Sequence, residues 1–196
     1  EFTKEVISAL QNDGVAVAGL DRIILRENLA VQDLLSIGKF VLDPQDDLNL
    51  ATLIKSPIIG VNELFLYDIA TNRGNQSIWT YIGLEQHFSE EYRILFEQLS
   101  IFFEVYQKTN VETFFQYLVD VLGLRKALLA SCGPDSNDAI DELLYTCQNF
   151  ASENNNSLQS FIFWIQNSDS SIKRDSSSSD KVRVMTLHGS KGLQAP

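Results

Sequence analysis

The chain has 196 residues, 44% of them apolar, two cysteines and a formal net charge of -11. That content supports one sizeable core or one domain carrying part of another, and it excludes a disordered chain. The acidity argues against strong nucleic-acid binding by the chain alone, because nonspecific affinity comes mainly from neutralising phosphates.

No apolar run is long enough for a membrane span, and the start, Glu1-Phe2-Thr3-Lys4-Glu5, lacks the pattern of a signal peptide, so a cytoplasmic protein without membrane contact is expected. Cys132 and Cys147 lack metal-ligand spacing and read as reduced thiols, Cys147 on the apolar face of a helix.

From the N-terminus, Phe2, Val6, Ile7 and Leu10 share one helical face. Asn12-Asp13-Gly14 then stops the helix before the alternating Val15-Ala16-Val17-Ala18, a short strand. Val31 to Leu42 repeats at helical spacing until Pro44. Asp46-Asp47 sit where acids favour a helix start, and Ser56-Pro57 ends the helix they open. Asn62 to Asn72 and Ser77 to Gln86 are further helices separated at Gly74. Ser89 caps the next, with Glu90 and Glu91 in its first turn. Leu95, Leu99, Phe102 and Tyr106 lie along one side of it and Phe96 and Phe103 along another, which predicts a central helix. Asn110 caps a helix over Val111, Phe114, Phe115, Leu118 and Leu122 that ends at Gly123. Leu124 to Ala130, Ile140 to Ala151 and Leu158 to Ile165 complete the helical set, and the aromatic residues spread over these faces read as core. Ser168 to Lys181, with Ser176-Ser177-Ser178-Ser179, is too polar to repay ordering and reads as a linker.

Val182 to Leu187 is apolar and β-branched, a strand that breaks into His188-Gly189-Ser190-Lys191-Gly192. Two glycines allow close approach to a phosphate, and Thr186, Ser190 and Lys191 offer hydroxyls and a cation; the order Lys191-Gly192 is not that of a P-loop. From Lys181 onward the local charge is +3, leaving -14 elsewhere. A strand at each end and helices between predict a mainly α protein, a helical bundle inserted into a small α/β remnant formed by the two chain ends. The division is 1–25 with 181–196, an insertion over 26–168 and a flexible linker over 169–180. No catalytic constellation or nuclease site is visible. His87 reads as a surface residue and the paired acids as helix starts.

Met185-Thr186-Leu187-His188, Ser190-Lys191-Gly192-Leu193 and Pro196 resemble motif V of the UvrD-like superfamily-one DNA helicases. Gly189 and Ala195 look most like the AddA-type subunit of bacterial double-strand-break repair helicase-nucleases. Ala30-Val31-Gln32-Asp33-Leu34-Leu35, Asp46-Asp47-Leu48 and Lys55-Ser56-Pro57 resemble, in the same order, the helical subdomain inserted in that subunit. The resemblance implies that the chain is part of a second RecA-like motor domain with its insertion, from a parent that moves along DNA using ATP and magnesium beside a partner subunit. It places Thr186, His188, Ser190 and Lys191 at DNA, with His188 linking DNA to the nucleotide site, and Gly192 and Gln194 at the nucleotide. Gln194 stands where the family usually has Glu, and its amide can still hydrogen-bond a sugar hydroxyl. The chain lacks a Walker A loop, an acidic magnesium motif and an arginine motif, so on its own it is expected to bind no cofactor and to hydrolyse no ATP. The rival reading is an autonomous acidic helical interaction module without nucleotide chemistry.

Overall fold

The structure is a computed structural model. It describes residues 22–134, 136–153 and 157–167 continuously, with positions 6, 9, 10, 13, 15, 17, 18, 171–173, 182 and 183 besides. Most of the expected N-terminal helix over Phe2 to Leu10 lies outside the described residues.

The protein is mainly α, and the described residues fall into two compact units. One draws on Glu1–Ile24 and Ser171–Pro196, and the other is Leu25–Ser170. In the first, β1 (Val17–Ala18) pairs in parallel with β4 (Val182–Arg183), Val17 opposite Val182 and Ala18 opposite Arg183. Parallel neighbours cannot be joined by a tight turn and need a long crossover. β2 (Arg22–Ile24) pairs antiparallel with β3 (Ser171–Lys173), Ile24 opposite Ser171, immediately before and after the helical unit in sequence. Two expectations are corrected here. Arg22–Ile24 is a strand that periodicity did not mark, and Ser171–Lys173, expected within the flexible linker, is its partner. A strand of three residues carries too little pattern to stand out, and pairing gives its backbone the hydrogen bonds that composition cannot reveal.

The helical unit opens with a 3-10 turn, Leu25–Glu27, and continues through α1 (Leu29–Leu42), α2 (Asp47–Lys55), α3 (Glu63–Asn72), α4 (Ile78–Glu85), α5 (Glu90–Lys108), α6 (Val111–Gln116), α7 (Leu124–Cys132), α8 (Ser136–Glu153) and α9 (Leu158–Asn167). Their starts follow from short polar side chains satisfying otherwise orphaned N–H groups. Asn28 accepts from Ala30 and Val31, Asp46 from Leu48 and Asn49, Asn62 from Phe65, and Ser77 from Thr80. Asn110 and Thr113 form a reciprocal capping box, whereas Ser89 begins α5 with no side-chain cap bond.

α1 is the central element, packing against α2, α5, α7, α8 and α9. Ala30, Val31, Leu34, Ile37 and Phe40 are sealed from water. At Gly38 an added Cβ would lie 2.7 Å from Ile162 Cδ1 of α9, so a side chain there would need α9 to give way. α5, predicted to be central, buries Tyr92, Leu95, Leu99, Phe102 and Val105 but leaves Ile94, Ile101 and Tyr106 exposed. Its second aromatic row packs sideways: Phe96 stacks on Trp79 at 4.8 Å, and Phe103 meets Phe40 edge-on at 5.0 Å. That row makes a wide apolar arc without making the helix central.

The helix predicted from Val111 to Gly123 is interrupted. After Gln116 the chain widens into a π-helical turn, Tyr117–Val121, where the N–H of Leu122 donates to the carbonyl of Tyr117 at 3.0 Å. Gly123 then takes φ +72°, the left-handed conformation that glycine adopts without strain. Arg125 fixes the junction, donating to Asn137 at 2.8 Å and to Asp141 at 2.7 Å, with Asp120 at 3.5 Å.

Candidate nucleotide and DNA interface

In a parallel sheet, the edge where strands end gathers loops that hold ligands, because both following segments leave on that side. β1 and β4 run the same way, so the segments after Ala18 and after Arg183 depart from one edge. The latter leads in sequence to the glycine- and hydroxyl-rich turn. Thr186, His188, Ser190, Lys191, Gly192 and Gln194 themselves all lie outside the described residues. What is described is the strand that precedes them and its parallel partner.

The helical unit supplies no alternative phosphate-binding surface. Residues 25–170 hold twenty Asp and Glu against eight Lys and Arg, a net of -12, whereas the remaining residues carry +1. Most of the unit's cations are already engaged. Lys55 pairs with Glu63, Arg73 with Asp47, Arg93 with Glu90 and Glu97 at 2.8 Å each, Lys108 with Glu104 at 3.2 Å, and Arg125 with Asp120 and Asp141. A basic stripe that could follow a nucleic-acid backbone does not form among the described residues.

No group of three or more His, Cys, Asp or Glu side chains converges as a metal site among the described residues, so nothing there fits a magnesium-bound nucleotide. Nor is any helix of the described residues long and apolar enough to cross a membrane. His87 is exposed in the turn between α4 and α5. Cys147 is buried and Cys132 half-buried, both as free thiols that burial pushes up.

The paired acids have different tasks. Asp46 caps α2, as its position at a helix start suggests. Asp47 works in tertiary structure: Oδ1 accepts the N–H of Ile78 at the start of α4 at 2.8 Å, and Oδ2 pairs with Arg73 at the end of α3. Arg73 in turn donates to the carbonyl of Gln76 at 2.6 Å. Two other partly buried groups were not legible as special. Tyr92 donates to Asp68 Oδ2 at 2.8 Å, and burial pushes its phenol far up. Desolvation raises the Asp33 carboxyl of α1 to about 6. Nor are all aromatics core: Tyr67, Phe88 and Phe163 are exposed. A clue existed in Leu64 and Tyr67, which fall out of phase with Phe65 and Ile69.

Fold and site together define a class: a mainly helical unit set in sequence between two parallel strands, the second of which leads into a phosphate-suited turn. No family model matches the chain. Among proteins of known name it is similar to the A-type subunit of the ATP-dependent helicase/nuclease from Oceanobacillus iheyensis, at 25% identity over 87% of the chain. The subunits of that name from Levilactobacillus brevis and Limosilactobacillus reuteri are 22% and 25% identical over 97% and 85% of it. The chain spans only 15%, 17% and 14% of their respective lengths.

Proposed function

We propose that this chain is part of an ATP-dependent DNA helicase of the AddA or UvrD-like kind, acting in double-strand-break repair and recombination. On this reading Leu25–Ser170 is the inserted helical subdomain, and β1 and β4 belong to the second RecA-like motor domain. The observation that carries it is the span of the similarity. It covers most of the chain in three helicase/nuclease subunits, rather than one motif that chance could supply.

The roles follow from chemistry at the end of β4. Thr186, Ser190 and Lys191 donate to phosphate oxygens of single-stranded DNA, holding the backbone rather than reading bases. Gly192 permits the chain to turn close to a ligand, and the Gln194 amide hydrogen-bonds a sugar hydroxyl. His188 stands between them in sequence. Its imidazole can donate from one nitrogen and accept at the other, passing a DNA contact toward the nucleotide side without itself reacting. In the intact protein, ATP with magnesium supplies the free energy of hydrolysis, and the helicase works beside a partner subunit of a helicase-nuclease complex.

The test uses the intact parent. His188→Ala should leave ATP affinity nearly unchanged and lower DNA stimulation of hydrolysis several-fold, as expected for a coupling of ~1–3 kcal/mol between two sites. Thr186→Ala should mainly weaken DNA binding. Equal loss of basal and stimulated hydrolysis in His188→Ala, with a lower melting temperature, would assign the imidazole to packing. An intact parent with no DNA-stimulated ATP hydrolysis would defeat the helicase reading altogether. The 196-residue chain alone should turn over no ATP and bind single-stranded DNA only weakly and in a salt-sensitive way.

A further inference from the structure

The helical unit carries an exposed apolar corner that its own packing does not explain. Tyr92, at the start of α5, is the post around which three elements meet. Its ring contacts Phe65 of α3 at 4.8 Å and Tyr81 of α4 at 5.7 Å, both edge-on, and its hydroxyl binds Asp68 of α3. Four large apolar side chains lie within about one turn of these contacts. Leu64 precedes Phe65, Tyr67 precedes Asp68, Leu84 follows Tyr81 by three residues and Phe88 precedes Tyr92 by four. Their exposures are 82%, 70%, 50% and 83%. Single exposed apolar residues are ordinary, but several at one junction mark an interaction site.

The surrounding charge limits what can bind. Glu63 starts α3, Glu85 ends α4, and Glu90 and Glu91 form the first turn of α5. Glu63 is matched by Lys55 and Glu90 by Arg93. Glu85 and Glu91 have no cation in ion-pair range among the described residues. Nucleic acid is disfavoured by such a rim, and so is an anionic bilayer. A second copy would bring the same carboxylates face to face, because a two-fold contact sets each patch against itself. A partner with apolar anchors flanked by cations satisfies both features.

We propose that the corner of Leu64, Tyr67, Leu84 and Phe88, rimmed by Glu85 and Glu91, docks a basic amphipathic helix of another protein. The apolar stripe of such a helix covers the four side chains, and its Lys and Arg residues meet the rim. Rim charges contribute chiefly to the on-rate and to partner choice, and the apolar anchors to affinity.

The test titrates the whole chain against a fluorescent amphipathic helical peptide of Leu and Lys, followed by anisotropy. Saturable binding is expected, weakened about tenfold by Phe88→Ser or Leu64→Ser. Glu91→Lys should slow association and flatten the salt dependence. Phe163→Ser, on the exposed face of α9, should change nothing. All four substitutions are at exposed positions, and circular dichroism checks that each variant folds. Absence of peptide binding, or equal weakening by Phe163→Ser, overturns the proposal. So does a concentration-dependent dimer, or binding to a thymidine oligonucleotide or to phosphatidylserine vesicles, that Phe88→Ser abolishes. None of these readouts depends on ATP or on motif V.

Discussion

Replacing Asp47 by alanine removes one carboxylate that ties three helices together. Its Oδ1 is the acceptor for the N–H of Ile78, an otherwise orphaned donor at the start of α4, and its Oδ2 neutralises Arg73 at the end of α3. The side chains of Arg73 and Asp47 are 27% and 32% exposed, so the pair lies between a surface ion pair, worth ~0–1 kcal/mol, and a buried one, whose breaking costs ~3–5 kcal/mol. Arg73 Nε is already buried without a partner, so Asp47→Ala leaves a guanidinium poorly compensated. We expect a loss of about 2–3 kcal/mol, or roughly 4–12 °C in melting temperature for a chain of this size. Asp47→Asn keeps an acceptor for Ile78 and should cost about 1 kcal/mol. Arg73→Ala should fall below Asp47→Ala, because it deletes the orphaned Nε together with the charge. Urea unfolding of both single variants and the double variant yields the coupling directly, and about 1–2 kcal/mol is expected. Asp47→Ala and Asp47→Asn melting alike, or a coupling near zero, would show that the three-helix tie contributes nothing beyond helix capping.

Two further expectations concern titratable groups. Asp33 has its folded pKa raised by desolvation, so the folded state binds more protons than the unfolded chain between about pH 4 and pH 6. Stability should therefore fall as pH rises through that window, and Asp33→Asn should remove that fall, raising the melting temperature at pH 7.5 more than at pH 4; equal effects at both would refute the assignment. Burial holds the Cys147 thiol protonated, so iodoacetamide at neutral pH should leave it unmodified until denaturant is added, with mass spectrometry of tryptic peptides as the readout. Rapid native labelling of Cys147 would mean that the packing of α8 is wrong.

The sequence by itself determined the helical content and most helix starts. A cap needs a short polar side chain beside its own backbone, and Asn28, Asp46, Asn62, Ser77 and Asn110 meet that need locally. It also carried the chemistry of the turn around His188, since residue types and spacing alone make a phosphate-suited loop. Tertiary structure decided what no local pattern encodes. α1 rather than α5 became central, because centrality depends on how many neighbours a face meets, and an aromatic row can be satisfied from one side. Asp47 became a clip between helices, although the sequence placed it as a helix-start acid like Asp46. The short strands β2 and β3 became legible only as a pair, because each borrows its hydrogen bonds from a partner roughly 150 residues away, and no window along the chain contains both.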